Sequence, residues 1–217
     1  MKKTAIILGA TGLTGSILLE KLLTDPNFEK VKLFSRSSAG IRHPKIEEHL
    51  VDLFKLENYS EAFIGNVVFC CIGTTKAKTP DKETYKKIDY GIPFAAAKLA
   101  KQNGIDTFIV ISAMGANPKS SVFYNKVKGE MQRDVLNQEI KNTYMLQPSL
   151  IGGDRKEERF GEAVAKIFMK FFVFLIPKNY KMIHPETIAE AMLILAKNGA
   201  TNTIVSSGEI KKMAHHD

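Results

Sequence analysis

The segment VISAMGANPKSSVFYNKVKGEMQ holds three side chains that together could move a proton onto a carbonyl oxygen: Ser112, Tyr124 and Lys128. Tyr124 and Lys128 stand four apart, so on a helix they share one face on successive turns. A free tyrosine, with a pKa of about 10, is a poor acid at neutral pH. A neighbouring ammonium stabilises the phenolate, and a helix N-terminus near Ser120 and Ser121 acts in the same direction. Lys128 is therefore expected to lower the pKa of Tyr124, while Ser112 orients the oxygen. The same tyrosine–lysine spacing also occurs as a plain surface pair. The serine upstream, at the end of an apolar strand, favours the catalytic reading.

These residues need a scaffold that brings a strand end and a helix face together. Short β-rich runs alternate with longer helical ones along the chain. Strands are expected at Thr4–Leu8, Val31–Ser35, Ile46–Val51, Val67–Ile72, Thr107–Ile111, Thr143–Gln147 and Thr203–Ser206. Helices are expected at Leu13–Leu23, Leu56–Phe63, Tyr85–Asn103, Phe123–Gln138, Gly161–Phe174 and Glu186–Lys197. Gly104 and Gly199 follow helical runs as C-terminal caps do, and Pro185 suits a first helical position. Such alternation implies crossovers, and so an α/β fold: a doubly wound, mostly parallel sheet with helices on both faces. Ligands of such sheets bind at the carboxyl ends of the strands.

After the first strand comes GATGLTG. Gly9 suits the tight turn, Gly12 lets a pyrophosphate approach the backbone, and Gly15 lets the helix pack on the sheet. Thr11, Leu13 and Thr14 complete this loop, whose free N–H groups would face the phosphates. The second strand ends LFSRSS, without the acidic residue that binds the ribose hydroxyl of NAD. Arg36, with Ser35 and Ser37, instead suits the 2′-phosphate of NADP, so NADPH is the expected cofactor and NAD the less favoured one. A solvated arginine is the competing reading. Asp52, with the Leu53 backbone beside it, could receive the adenine amino group or could simply cap a turn. Gly73 and Thr74, at the end of the fourth strand, either border the nicotinamide ribose or form an ordinary loop.

The chain has 217 residues and a net charge of +8, and 44% of its residues are hydrophobic. One domain, residues 1–217, accommodates this length. The positive charge favours anionic ligands but is scattered without a basic block, so no nucleic-acid partner is expected. Cys70 and Cys71 are adjacent and read as small buried residues in a reducing compartment. The N-terminal apolar run is too short for a signal peptide, and Ile167–Pro177 is too short for a membrane span and contains Lys170. The protein is therefore expected to be soluble and cytoplasmic. No metal-ligand spacing is present, and no metal is expected.

Taken together, LGATGLTG, CIGTT, YNKVKGE and GGDRKEERFGEAVAKIFMKFF resemble the short-chain dehydrogenase/reductase superfamily, and within it the NADPH-binding atypical group of HIV Tat-interactive protein 2-like oxidoreductases. The resemblance covers nearly the whole chain. It implies a Rossmann-type sheet and catalytic roles for Ser112, Tyr124 and Lys128. It further implies cofactor roles for Gly9, Thr11, Gly12, Leu13, Thr14, Gly15, Arg36, Gly73 and Thr74. Lys128 would also hold the nicotinamide ribose, and Pro148 would border the nicotinamide. Two departures stand out. Asp89 lies nearest the place where many extended members carry an asparagine, and Gln147-Pro148-Ser149 replaces Arg-Pro-Gly.

Residues 152–185 are expected to form a small lobe over the site. There, Arg155 or Arg159 could meet an anionic substrate, and the Phe-rich run could be a buried helix, a dimer contact or a peripheral membrane contact. The expected function is an NADPH-dependent reduction of a small carbonyl compound, with Tyr124 as proton donor. The alternative is an NADPH-binding regulator with little chemistry and a protein partner.

Overall fold

Strands that are apolar on both faces belong in the middle of a sheet, and three segments of this chain have that character. They are β1 (Lys3–Leu8), β4 (Val67–Cys70) and β5 (Thr107–Ile111), in which most side chains are buried and none is exposed. The more polar IEEHL forms β3 (Ile46–Leu50) at one edge, where its charged residues discourage further pairing. With β2 (Phe28–Ser35), β6 (Asn142–Gln147) and the short β7 (Ile204–Ser206), they make one seven-stranded sheet in the order β3-β2-β1-β4-β5-β6-β7. Every pairing is parallel. The computed structural model describes residues 2–152 and 182–214. The helix expected at Gly161–Phe174, Arg155, Arg159 and most of the expected lobe lie outside the described residues.

Alternating strand residues feed two cores. Ile7, Phe69, Ile109 and Leu146 point to one face, where they meet Leu18, Leu19 and Leu22 of α1 (Leu13–Thr24) and Ile188 and Met192 of α5 (Pro185–Asn198). Ile6, Leu8, Val68 and Val110 point to the other, against Ala96 and Ala100 of α3 (Ile92–Gln102) and Met131 and Val135 of α4 (Phe123–Leu136). The expected caps are present. Gly104 and Gly199 both have positive φ, and Pro185 occupies the first turn of α5 after His184.

Three local details differ from the sequence-based reading. The helix expected at Leu56–Phe63 is a 3-10 segment at Leu53–Tyr59, kinked at Lys55 and started by Asp52, whose carboxylate accepts from Phe54 N. That short-range bond competes with a regular α-turn. The helix expected at Tyr85–Asn103 begins earlier, as α2 (Lys82–Lys86), and passes through a π turn at Lys87–Gly91 before α3. A further helix, α6 (Ser207–Ala214), follows β7. It is started by a reciprocal bond in which Ser206 N donates to Glu209 and Glu209 N donates to Ser206 Oγ, an S-x-x-E signal present in the sequence.

The turn from β1 into α1 is the tightest joint in the fold. Gly9 has φ +87°, and a Cβ at Gly15 would stand 2.1 Å from the Gly9 carbonyl oxygen. Backbone must move to admit a methyl group there. Gly15→Ala is therefore expected to destabilise the fold by about 1–3 kcal/mol. Urea unfolding checks this as a lower midpoint, and an unchanged midpoint would refute the packing role given to Gly15.

Candidate functional site

The carboxyl ends of β1, β4, β5 and β6 open into a cleft of about 1580 Å³. The glycine turn forms one wall. Gly12 is the N-cap residue of α1 and has no side chain to cap the first-turn amides, and no acidic residue lies in that turn. An uncapped helix start of this kind suits an anion. Gly9, Thr11, Gly12, Leu13 and Thr14 line the cleft, as do Arg36, Leu53, Gly73, Thr74 and Pro148. Gly15, Ser35, Ser37 and Asp52 are not among the lining residues. Gly15 packs behind the turn, and Ser35 is buried with its hydroxyl donating to the Ser37 carbonyl at 2.8 Å. Asp52 is engaged as the cap described above.

The opposite wall is one face of α4. Tyr124, Lys128 and Gln132 follow at intervals of four and face the end of β5, where Ser112 is buried. Contact between helix and loop is close because Gly129 lacks a side chain. A Cβ there would stand 2.2 Å from the backbone of Asn117 and Pro118. Gln132 Nε2 donates to Ser112 Oγ at 2.6 Å, and Gln147 Nε2 donates to Gln132 Oε1 at 3.3 Å. With its oxygen receiving this bond, the Ser112 hydroxyl proton is left to point at a ligand. Sequence reasoning missed Gln132, although its place one turn beyond Lys128 was the available signal.

Lys128 and Asp89 form the most buried ion pair of the described residues, with 3% and no exposure. Lys128 Nζ stands 2.9 Å from Asp89 Oδ1 and 3.5 Å from the Ile111 carbonyl, while Asp89 Oδ2 accepts from Thr74 N at 2.8 Å. Asp89 lies in the π turn, a distortion that is common where a helix aims a side chain into a site. Burial alone would lower the Lys128 pKa, but Asp89, followed by Tyr124, more than offsets it, and the net direction is upward.

Tyr124 departs from expectation. Tyr124 keeps 40% of its surface exposed to the cleft, yet the loss of water around the rest of its ring outweighs the lowering effect of Lys128, and Asp89 adds to the rise, so the net direction is upward. Lys128 offers little unbalanced charge because Asp89 already neutralises it. Tyr85, also unforeseen, packs edge-on against Phe123 and Tyr124 with centroids 5.6 and 6.4 Å away, and its hydroxyl donates to the Thr74 carbonyl. Burial raises the Tyr85 phenol, and Asp89 adds to that rise. Burial likewise pushes the Cys70 thiol up to about 11, which keeps it an inert part of the core.

Removing one partner of a buried pair leaves an uncompensated charge, so Asp89→Asn is expected to cost about 3–5 kcal/mol. The double variant Asp89→Asn, Lys128→Met should fall short of the summed single losses by about 1–3 kcal/mol. Because the Lys128 pKa is raised, its stabilising contribution is complete below its ordinary 10.5 and disappears as pH rises through the higher folded value. Urea unfolding across alkaline pH checks both points. Additive single losses, or an alkaline decline as steep in Lys128→Met as in the wild type, would contradict them.

Comparison with known proteins agrees with this geometry. Residues 9–150 match the NAD(P)H-binding family. Protein HTATIP2 of Rattus norvegicus is 35% identical over 213 residues, covering 95% of this chain and 83% of the relative. Protein FMP52, mitochondrial, of Debaryomyces hansenii is 36% identical over 158 residues, covering 72% of this chain and 70% of the relative. The solved UDP-glucose 4-epimerase of Thermotoga maritima, with UDP-glucose, superposes with a TM-score of 0.70 at 15% identity, covering 97% of this chain and 81% of that one. MoeE5 in complex with UDP-glucose and NAD gives a TM-score of 0.68 at 14% identity, covering 97% and 80%. At such low identity these two structures share the fold alone. A glycine turn opening α1, a Rossmann strand order and relatives above 30% identity agree, and the chain belongs to the NAD(P)H-binding family as an atypical short-chain dehydrogenase/reductase of the HTATIP2-like group.

Proposed function

We propose that the protein is an NADPH-dependent reductase in which Tyr124 hands a proton to the carbonyl oxygen of a small ketone, aldehyde or enone. The observation that carries this reading is that Ser112, Tyr124 and Lys128 line the same cleft as the glycine turn. A reduced nicotinamide, when bound, supplies the hydride. Ser112, its oxygen engaged by Gln132, directs its hydroxyl proton to the carbonyl oxygen. Tyr124 has a raised pKa and so remains protonated at neutral pH, as a proton donor must. Lys128, pinned by Asp89, keeps donors available for the nicotinamide ribose.

Preference for NADPH over NADH rests on Arg36, which lines the cleft and has no ion-pair partner among the described residues. The glycine-turn residues Gly9, Thr11, Gly12, Leu13 and Thr14 would receive the pyrophosphate, with Leu53 near the adenine and Gly73, Thr74 and Pro148 near the nicotinamide. Gly15 would act by holding the turn. Ser35, Ser37 and Asp52 would contribute to the cofactor only indirectly. Two free thiols suit a reducing compartment, the cytoplasm in this reading, whereas fungal relatives carry "mitochondrial" in their names. No described helix is long and apolar enough to cross a membrane.

A regulatory reading draws on one specific feature: Asp89 already balances the lysine that would activate Tyr124. Steady-state kinetics separates the two. Tyr124→Phe is expected to lower turnover at least about 100-fold and to leave NADPH affinity within about twofold. Undiminished turnover would remove Tyr124 from the chemistry, and NADPH binding with no carbonyl reduction by the wild type would favour the regulator. Arg36→Ala should weaken NADPH binding about tenfold and leave NADH binding nearly unchanged. Nicotinamide fluorescence reads this directly, because the chain has no tryptophan. Equal affinity of the wild type for both nucleotides would withdraw the NADP assignment.

A further inference from the structure

Charge is unevenly distributed around the cleft. Among its described lining residues are five basic side chains and one carboxylate, Asp89, which is already taken by Lys128. The remaining four divide between two sides of the fold. Arg36 follows β2, whereas Lys76, Lys78 and Lys82 follow β4, and these two strands flank β1 on opposite sides. The uncapped start of α1 and Arg36 already provide for the phosphates of a dinucleotide. The three lysines are left over, on the half of the cleft that holds Tyr124.

Their position is built rather than incidental. Lys82 Nζ stands 5.5 Å above the ring of Phe123, the residue before Tyr124. Lys76 and Lys78 project from a turn closed by two bonds to the Thr75 carbonyl, from Lys78 N at 3.0 Å and Thr79 N at 2.9 Å. The Thr74 and Thr79 hydroxyls bond across the same turn at 2.9 Å, and Thr74 N is held by Asp89. The lysine turn is thus anchored to the buried pair behind Tyr124. No carboxylate among the described residues pairs with Lys76, Lys78 or Lys82, so three unneutralised ammonium groups border the reacting half of the cleft.

We propose that the substrate is itself an anion: a carbonyl compound bearing a carboxylate or phosphate, received by Lys76, Lys78 and Lys82 while its carbonyl faces Tyr124. This rests on the reductase reading of the cleft and adds the class of compound it takes. The lysines are solvent-exposed, so their attraction is sensitive to salt and weakens when counterions screen it.

The test is a binding measurement on the full chain loaded with NADP⁺, so that it does not depend on turnover. Calorimetry compares para-carboxybenzaldehyde, para-formylphenyl phosphate and the uncharged methyl ester of the first. At low salt, at least one anionic aldehyde is expected to bind about tenfold more tightly than the ester, and which one does separates carboxylate from phosphate recognition. High salt, or the substitutions Lys76→Gln, Lys78→Gln and Lys82→Gln together, should bring that ratio close to one, with each single substitution giving part of the loss. Equal binding of acids and ester, or a preference that survives the triple substitution, overturns the proposal. A parallel fall in NADPH affinity in the triple variant would assign the lysines to the cofactor and overturn it as well. If the anion binds but is not reduced by NADPH, the anion site stands and the reductase reading alone fails.

Discussion

Lys128 and Asp89 are both shut away from water, and neither could be there without the other. Removing an ammonium or a carboxylate from solvent costs several kcal/mol, which only a close and well-bonded partner offsets. The pair therefore imposes a geometric demand on three separate parts of the chain. The α4 face must carry Lys128, the π turn must deliver Asp89, and the loop after β4 must supply the Thr74 amide. Everything at the reacting end of the cleft is arranged around that demand. Tyr124 stands one turn before Lys128, Gly73 passes beside the pair, and Tyr85 closes over the Thr74 carbonyl.

The same pair controls the electrostatics of the site. A lone lysine beside a tyrosine draws the phenol downward, as the sequence spacing suggests. With a carboxylate balancing that lysine, burial decides the outcome instead, and the phenol moves up. The proposed chemistry changes character accordingly. Tyr124 is held in the protonated form that carbonyl reduction requires, but as a weaker acid than a free phenol, so the proposed transfer leans on the bonds that Ser112 and Lys128 make to the reacting groups. Charge balance at the buried pair also leaves the lysines on the rim as the cations a ligand meets, and the rim rather than the floor carries the anion recognition proposed for the substrate.

Much of the scaffold was legible because it depends on local pattern. Apolar runs such as VVFC and FIVI have the character of strands covered on both faces, and Gly104, Gly199 and Pro185 punctuate helices through their own backbone preferences. The α6 helix carries a local signal too, in its S-x-x-E start. The 3-10 form of Leu53–Tyr59 was not legible, because one aspartate-to-amide bond there overrides a weak helical pattern. At the site, Ser112, Tyr124 and Lys128 are recognisable from type and spacing. Gln132 is marked by its place one turn beyond Lys128, but its bond to Ser112, the packing of Tyr85 and the partnership of Asp89 with Lys128 are not legible, since they arise where the loop after β4, the π turn and the α4 face meet.

The sequence by itself therefore determined the alternation of strands and helices, the glycine turn and the identity of the groups able to do chemistry. Each of these follows from residues near one another in the chain, whose backbone preferences and helical periodicity act locally. Only the tertiary structure decided the state of those groups. It brought Asp89 to Lys128 across 39 positions of sequence, turned Ser112 toward Gln132 and set Lys82 over the ring of Phe123. Burial and charge pairing act through space, and a pKa depends on what surrounds a group in the folded chain rather than on its sequence neighbours.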